Sequence, residues 1–428
     1  MKRSLFVVVL AMSSAAAVFA AAGEEAKPWG FSPASLQPFW RCSTMVDESV
    51  LFIQNKAEAR PQASLLLEPT QILSVSSSSG QVTYREGRDY VWKPGSKELL
   101  LPAGSRIVFR TPQDLRRPAG SQRHRLTHRD GNGEILFGAT HEYHDLQTMV
   151  TYAHQGGWAG PRPSFAGDHL PRTVKRLSEK QPLTIALLGD SISTGCNASG
   201  WAKVAPLQPP YQDLLAMNLK AAYGAKVTLH NFAVGGTDTG WGLANIGKVI
   251  EVRPDLVILA FGMNDAAGRP ANQYQANIRA MLDAVRRARP EAEFILVATM
   301  LGNENWTTLR HERFLQYRDA LDQLCGPGIA LADLTSVWAE LLRHKQDWDL
   351  TGNGVNHPND FGHRIYAQVL SALLIAPTPA DPGAAFEKRL PNDTRAARRS
   401  SLPKLVADSL ARSTRIGFKT ALNAAVTP

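Results

Sequence analysis

Cysteine is scarce in this chain. Its 428 residues hold only Cys42, Cys196 and Cys325. One bridge at most can form, which excludes a disulfide-stapled scaffold, and the spacing fits no zinc site. A chain of this length can be exported without bridges. Cys196, five residues after Ser191, reads as a small buried residue. Long apolar runs are also missing: beyond the amino terminus no segment approaches the roughly 20 apolar residues that cross a bilayer. A basic body is missing too. The formal net charge is +9, but Lys2, Arg3 and a tail with nine Lys/Arg against four Asp/Glu supply most of it. The remainder is near neutral, which excludes a nucleic-acid-binding body with a basic face. No glycine loop ending in lysine cradles a phosphate. No cluster of metal ligands stands out either; His141, His144 and Asp145 have a usable spacing, but a surface turn is the expected reading.

What is present organises into two domains with flanking tails. Met1-Lys2-Arg3, the apolar stretch from Leu5 to Met12, and small residues ending at Ala20 or Ala22 read as a secretory signal peptide over 1–22, hence export to the periplasm or beyond. A leader over 23–38 follows. Residues 39–155 carry short apolar or alternating runs (Leu65–Glu68, Ile72–Val75, Val82–Tyr84, Tyr90–Trp92, Leu99–Leu101, Arg106–Phe109, Ile135–Phe137, Met149–Tyr152). Turn signals such as Ser79-Gly80 and Asp130-Gly131-Asn132-Gly133 separate them. This pattern predicts an all-β sandwich or jelly roll. A connector over 156–182 is broken by Gly156-Gly157, Pro161, Pro163, Gly167 and Pro171.

From Leu183 the rhythm alternates. Apolar strands are predicted at Leu183–Leu188, Lys226–Phe232, Leu256–Ala260, Phe294–Thr299 and Ile329–Asp333, with helices between them and a last helix at Gly362–Leu374. Fully apolar strands with intervening helices predict a parallel sheet covered on both faces, a three-layer α/β domain over 183–376. The tail, 377–428, is basic and expected to be flexible, with a weak amphipathic helix over 402–424 as the alternative.

Four turns carry the chemistry. Gly189-Asp190-Ser191 ends a strand and presents a hydroxyl; alone, such a serine is as readily a helix cap. Gly235-Gly236 follows another strand and offers backbone N–H groups. Gly262-Met263-Asn264-Asp265 follows a third and offers a side-chain amide. His357-Pro358-Asn359 precedes the last helix and supplies a base. A nucleophile, oxyanion donors and a base are the parts of covalent acyl transfer. The carboxyl ends of parallel strands are where an α/β fold places them.

In order and spacing these segments resemble the SGNH (GDSL-type) hydrolase family over about 183–375. The resemblance implies a flavodoxin-like three-layer fold, no cofactor, and ester hydrolysis through an acyl-enzyme. It places the nucleophile at Ser191, oxyanion donors at Gly236 (Gly235 in the other register) and Asn264, and the base at His357. One departure stands out. The family usually carries aspartate three residues before the histidine, where this chain has Gly354. Either a backbone carbonyl holds the imidazole, leaving a Ser–His dyad, or Asp349 or Asp347 swings in, with Asp349 the possible orienting acid; Asp360 ranks lowest.

Trp201, Trp241 and Trp306 follow catalytic turns and are candidate stacking faces for a sugar. They point to an acylated polysaccharide or oligosaccharide as substrate, most directly an O-acetyl ester as in some carbohydrate acetylesterases that carry an added β domain. The competing readings are a lipolytic esterase, lysophospholipase or thioesterase on the same machinery, and a non-catalytic glycan-binding protein.

Overall fold

The computed structural model describes residues 29–377. The expected signal peptide, the first part of the leader and nearly all of the tail lie outside the described residues. The amino-terminal half is β-rich. Its strands are β1 (Thr44–Val50), β2 (Phe52–Ile53), β3 (Gln62–Ser64), β4 (Pro69–Ser77), β5 (Val91–Trp92), β6 (Glu98–Leu100), β7 (Phe109–Arg110), β8 (Arg116–Arg117), β9 (Glu134–Ile135) and β10 (Thr148–His154). β10 lies between β1 and β4 in an antiparallel sheet. A second sheet runs β5-β6-β3-β2-β7, and β8 pairs with β9.

Several strands depart from the expectation. β1 shows no apolar alternation because it carries Asp47, Glu48 and Ser49, of which Glu48 and Ser49 are fully buried against the second half of the chain. The apolar run Leu65–Leu67 is buried but links β3 to β4 rather than forming a strand. Tertiary pairing, not apolar periodicity, selects the strands here.

The second half is a parallel five-stranded sheet: β11 (Leu183–Gly189), β12 (Val227–Asn231), β13 (Leu256–Ala260), β14 (Glu293–Ala298) and β15 (Ile329–Asp333), in the order β12-β11-β13-β14-β15. This is the flavodoxin-like order, and each strand lies within two residues of its prediction. Every residue of β13 and β14 is buried, which explains why these strands read as unbroken apolar runs. Helices Tyr211–Tyr223 and Asp360–Leu374 pack on each other, as do Thr239–Asn245, Ala271–Ala288 and His311–Asp322 in succession. Each fully buried leucine, isoleucine or valine of such a core contributes roughly 1.5–3 kcal/mol. The chain reverses direction across the sheet at β11, so a crevice opens at the carboxyl end of that strand.

The connector is more regular than expected. Pro171 does not break it but opens the helix Pro171–Ser178, occupying the first turn, where its missing N–H costs nothing. The Arg172 and Thr173 N–H groups donate to the buried Glu293 carboxylate at 3.0 and 2.7 Å.

The two halves share one continuous apolar cluster. Polar contacts bind them as well. The buried Glu48 carboxylate accepts from Lys345 Nζ at 2.7 Å, the Leu66 N–H at 2.8 Å and the Tyr152 hydroxyl at 2.6 Å. Lys345 is itself fully buried and also donates to the Ser64 carbonyl at 2.7 Å. Gln147 Nε2 donates to the carbonyls of Trp348 and Thr351, and Asn359 Nδ2 to Ser49 Oγ.

Candidate active site

Ser191 stands one residue past β11. Close approach forces glycine at position 189: a Cβ there would lie 2.6 Å from the Ala260 carbonyl oxygen and 2.7 Å from Ser193 Oγ. Asp190 then caps the following turn, its carboxylate accepting from the Ile192 N–H at 3.0 Å. Burial raises the Asp190 carboxyl to about 7, against the opposing pull of that N–H. Capping, the bland role considered for Ser191, therefore belongs to Asp190.

His357 reaches Ser191 from a turn that its own backbone cinches. Asn353 Oδ1 accepts the N–H groups of Val355, Asn356 and His357 at 2.9, 2.9 and 3.0 Å. The Gly352 N–H returns to the His357 carbonyl at 3.0 Å. Across this turn the Ser191 hydroxyl lies 2.8 Å from His357 Nε2. Burial alone pulls the His357 imidazole down to about 4, so at neutral pH it is an unprotonated base.

The group behind the imidazole was not foreseen. His357 Nδ1 is 2.8 Å from Asn197 Oδ1, neither a backbone carbonyl nor an aspartate. Asp349, the candidate acid, does not orient His357: its carboxylate accepts from the Leu51 N–H at 2.8 Å and the Gln346 N–H at 3.0 Å, joining the two halves of the chain. Asp347 makes no contact with the imidazole either, and burial raises it to about 7. Asp360 accepts from the Ser199 N–H at 2.8 Å. Gly354, where the resemblance calls for aspartate, has φ +76°, and a Cβ on it would collide with the Tyr143 hydroxyl and ring. Sequence offered one faint signal for Asn197: an asparagine in a glycine-rich turn six residues beyond the nucleophile.

The glycine turn comes against the serine, since a Cβ on Gly235 would sit 3.7 Å from that of Ser191. Gly236 follows, exposed. Asn264 Nδ2 donates to the Thr237 carbonyl at 2.8 Å, tying the asparagine turn to the glycine turn. The next residue, Asp265, is buried, accepts the Thr239 hydroxyl at 2.5 Å and pairs with Arg269 at 2.6 Å. Arg269 in turn bonds Asp238 at 2.5 Å. Burial raises the Asp265 carboxyl despite the Thr239 hydrogen bonds and the Arg269 charge.

The tryptophans differ in their setting. Trp201 is 38% exposed on the short helix Ser199–Ala202 beyond the nucleophile. Trp241 is half-buried with Lys248 Nζ 5.7 Å from its ring centroid. Trp306 packs beside Leu126, Ile135 and Val355 at the junction of the two halves, and its carbonyl accepts from Arg129 at 3.2 Å, so it acts there as a strut. His141 and Asp145 bond each other at 2.8 Å while His144 Nε2 donates to the Ala205 carbonyl at 2.8 Å, so the three do not converge. Among the described residues, no three His, Cys, Asp or Glu side chains gather to hold a metal.

A serine hydroxyl bonded to a neutral, partly buried imidazole at the crevice of a flavodoxin-like sheet is an arrangement suited to serine-nucleophile chemistry. Residues 187–365 match the model of the GDSL-like lipase/acylhydrolase family. A search of curated proteins gives no match. Among solved structures, the two-domain esterase CEX, active on acetylated mannans and co-crystallised with mannopentaose, is 19% identical over 52% of this chain and 59% of that one, with a TM-score of 0.39. The match thus spans less than two thirds of that esterase. TesA is 20% identical over 44% of this chain and 96% of its own, with a TM-score of 0.36. A carbohydrate esterase family 3 member from Talaromyces cellulolyticus is 18% identical over 44% and 94%, with a TM-score of 0.35. No helix among the described residues is long and apolar enough to cross a membrane.

Proposed function

We propose that the protein is an exported serine esterase that removes O-acetyl groups from a carbohydrate through an acyl-enzyme. The 2.8 Å contact between Ser191 Oγ and His357 Nε2 carries this reading. Ser191 attacks the ester carbonyl while His357 Nε2 takes its proton. The tetrahedral oxyanion is met by the Gly236 N–H and by Asn264, whose second amide proton is not the one given to Thr237. Each such donor lowers the barrier by about 3–4 kcal/mol. Collapse expels the sugar alcohol, which recovers its proton from His357. Water, deprotonated by the same imidazole, then releases acetate and restores Ser191.

The carbohydrate assignment is supported by Trp201, 38% exposed on the short helix that follows the Ser191 turn in the chain. A second reading, hydrolysis of longer acyl chains, is favoured by a specific observation: Val234, two residues before the oxyanion glycine, is 44% exposed and Leu207 is 38% exposed. The test is hydrolysis of acetylated xylan, acetylated mannan, an acetyl aryl ester and a long-chain aryl ester, with Ser191→Ala in parallel. Acetate release from a polysaccharide, abolished in Ser191→Ala, is the expected result. Activity confined to the long-chain ester overturns the carbohydrate assignment, and full activity in Ser191→Ala overturns the mechanism.

A further inference from the structure

We infer that Asn197 takes the place of the missing acid as the positioning residue for His357, and that the β-rich half of the chain aims it. This rests on the serine-esterase reading of the site.

The orientation of the Asn197 amide follows from its surroundings. Its nitrogen end faces three carbonyl oxygens, those of Thr140 at 2.9 Å and of Gly138 and Gly352 at 3.2 Å. An amide oxygen placed among three carbonyls would meet only acceptors, so the nitrogen belongs there. The oxygen is then the end that faces His357, 2.8 Å from Nδ1. An acceptor at Nδ1 requires the proton on Nδ1 and leaves the Nε2 lone pair for the Ser191 hydroxyl. One amide orientation therefore sets the tautomer that a general base needs. The left-handed backbone at Asn197, φ +64°, is one that asparagine tolerates better than most residues.

Two of the three anchoring carbonyls, Gly138 and Thr140, come from the loop between β9 and β10. The Gly138 N–H also donates to the Asn353 carbonyl at 3.1 Å, inside the histidine turn. Tyr143 from the same loop fills the space beside Gly354, with its hydroxyl donating to the Leu136 carbonyl at 3.0 Å. One segment of the β-rich half thus excludes the usual acid and holds its replacement. An amide differs from a carboxylate in one respect: it fixes the ring without adding a negative charge to stabilise the imidazolium. The absence of such a charge agrees with the downward displacement of the His357 imidazole.

The test compares wild type, Asn197→Ala, Asn197→Asp and Ser191→Ala by steady-state hydrolysis of an acetyl aryl ester across pH, with thermal unfolding of each. In Asn197→Ala, kcat falls about 10²-fold, as for a modest misplacement of a reacting group, with KM nearly unchanged. In Asn197→Asp the new charge beside Nδ1 moves the acid limb of kcat/KM to higher pH, a shift that a merely structural asparagine would not produce. Asparagine variants within about threefold of wild type in kcat, with an unmoved acid limb, overturn the inference while a dead Ser191→Ala upholds the esterase. An active Ser191→Ala overturns both. Proton NMR of the wild type covers the case of a misfolded variant. A downfield imidazole N–H resonance that vanishes in His357→Ala is expected, and its absence from the folded wild type overturns the inference.

Discussion

An aspartate at position 354, where the resemblance calls for one, is expected to impair the proposed esterase, because Gly354 has no room for a side chain. Gly354→Asp imposes three separable costs. A side chain at φ +76° costs about 1–2 kcal/mol for the left-handed backbone. Its Cβ would overlap the Tyr143 hydroxyl and sit 2.7 Å from Tyr143 Cε2, an overpacking worth about 1–3 kcal/mol. The carboxylate would also be buried at a fully enclosed turn, a further desolvation cost. Gly354→Ala carries the first two, so it is expected to lose about 2–5 kcal/mol, and Gly354→Asp more. Denaturant unfolding of wild type and both variants measures the loss, and kcat/KM on an acetyl aryl ester is expected to fall in parallel as the His357 turn moves. Gly354→Asp with wild-type stability and equal or higher kcat/KM would refute the reasoning: the turn would then be pliable, and the absent acid a historical accident rather than a steric one.

Further outcomes follow from the desolvated ionisable groups. With its imidazole held down at about 4, His357 stays a neutral base through mildly acidic pH, so kcat/KM is expected to hold level through pH 6.5 and decline only toward about 4; a limb near 6.5 would contradict the burial. The same displacement gives the folded state a stability contribution that is full above the unfolded pKa of about 6.5 and is lost as pH falls to about 4, because the unfolded chain takes up a proton that the desolvated ring refuses. Lys345→Met leaves Glu48 buried without its cation and is expected to cost about 3–5 kcal/mol in denaturant unfolding. The double variant Glu48→Gln/Lys345→Met should cost less than Lys345→Met alone, and a Lys345→Met loss under about 1 kcal/mol would show the pair to be dispensable.

The α/β half was legible because its inner strands are largely buried and appear in the sequence as apolar runs, unbroken in β13 and β14, with the partly exposed β12 a mixed run between helices. The turns that follow those runs carry Ser191, Gly236 and Asn264, so fold and candidate site were read from the same signal. The β-rich half was harder for an equally physical reason. Strand β1 buries Glu48 and Ser49 against Lys345 and Asn359, and no local pattern announces partners some 300 residues away. Asn197 escaped for the same cause. Its amide is meaningful only through Gly138, Thr140, Gly352 and His357, which the fold alone brings to it. Asp349 misled because proximity in sequence to His357 suggested a contact, whereas its helix turns the carboxylate toward the Leu51 N–H.

These contacts bear on what the β-rich half is for. A domain added only for stability would need apolar burial and a few hydrogen bonds at its joint, and the shared core and the Glu48–Lys345 pair supply that. They do not account for the further contacts that this half makes with the Asn197 turn, the His357 turn and the 304–309 segment. The Arg129 guanidinium donates to the carbonyls of Glu304, Trp306 and Leu309. Gly138 and Thr140 hold Asn197, and Tyr143 closes the space beside Gly354. The turns that carry Ser191, Gly236 and Asn264, by contrast, follow β11, β12 and β13. On the proposed reading of the site a division of labour follows: the parallel sheet would present the attacking and charge-stabilising groups, and the β-rich half would position the base. A change confined to the loop between β9 and β10 can therefore alter proton transfer without touching any residue that meets the ester.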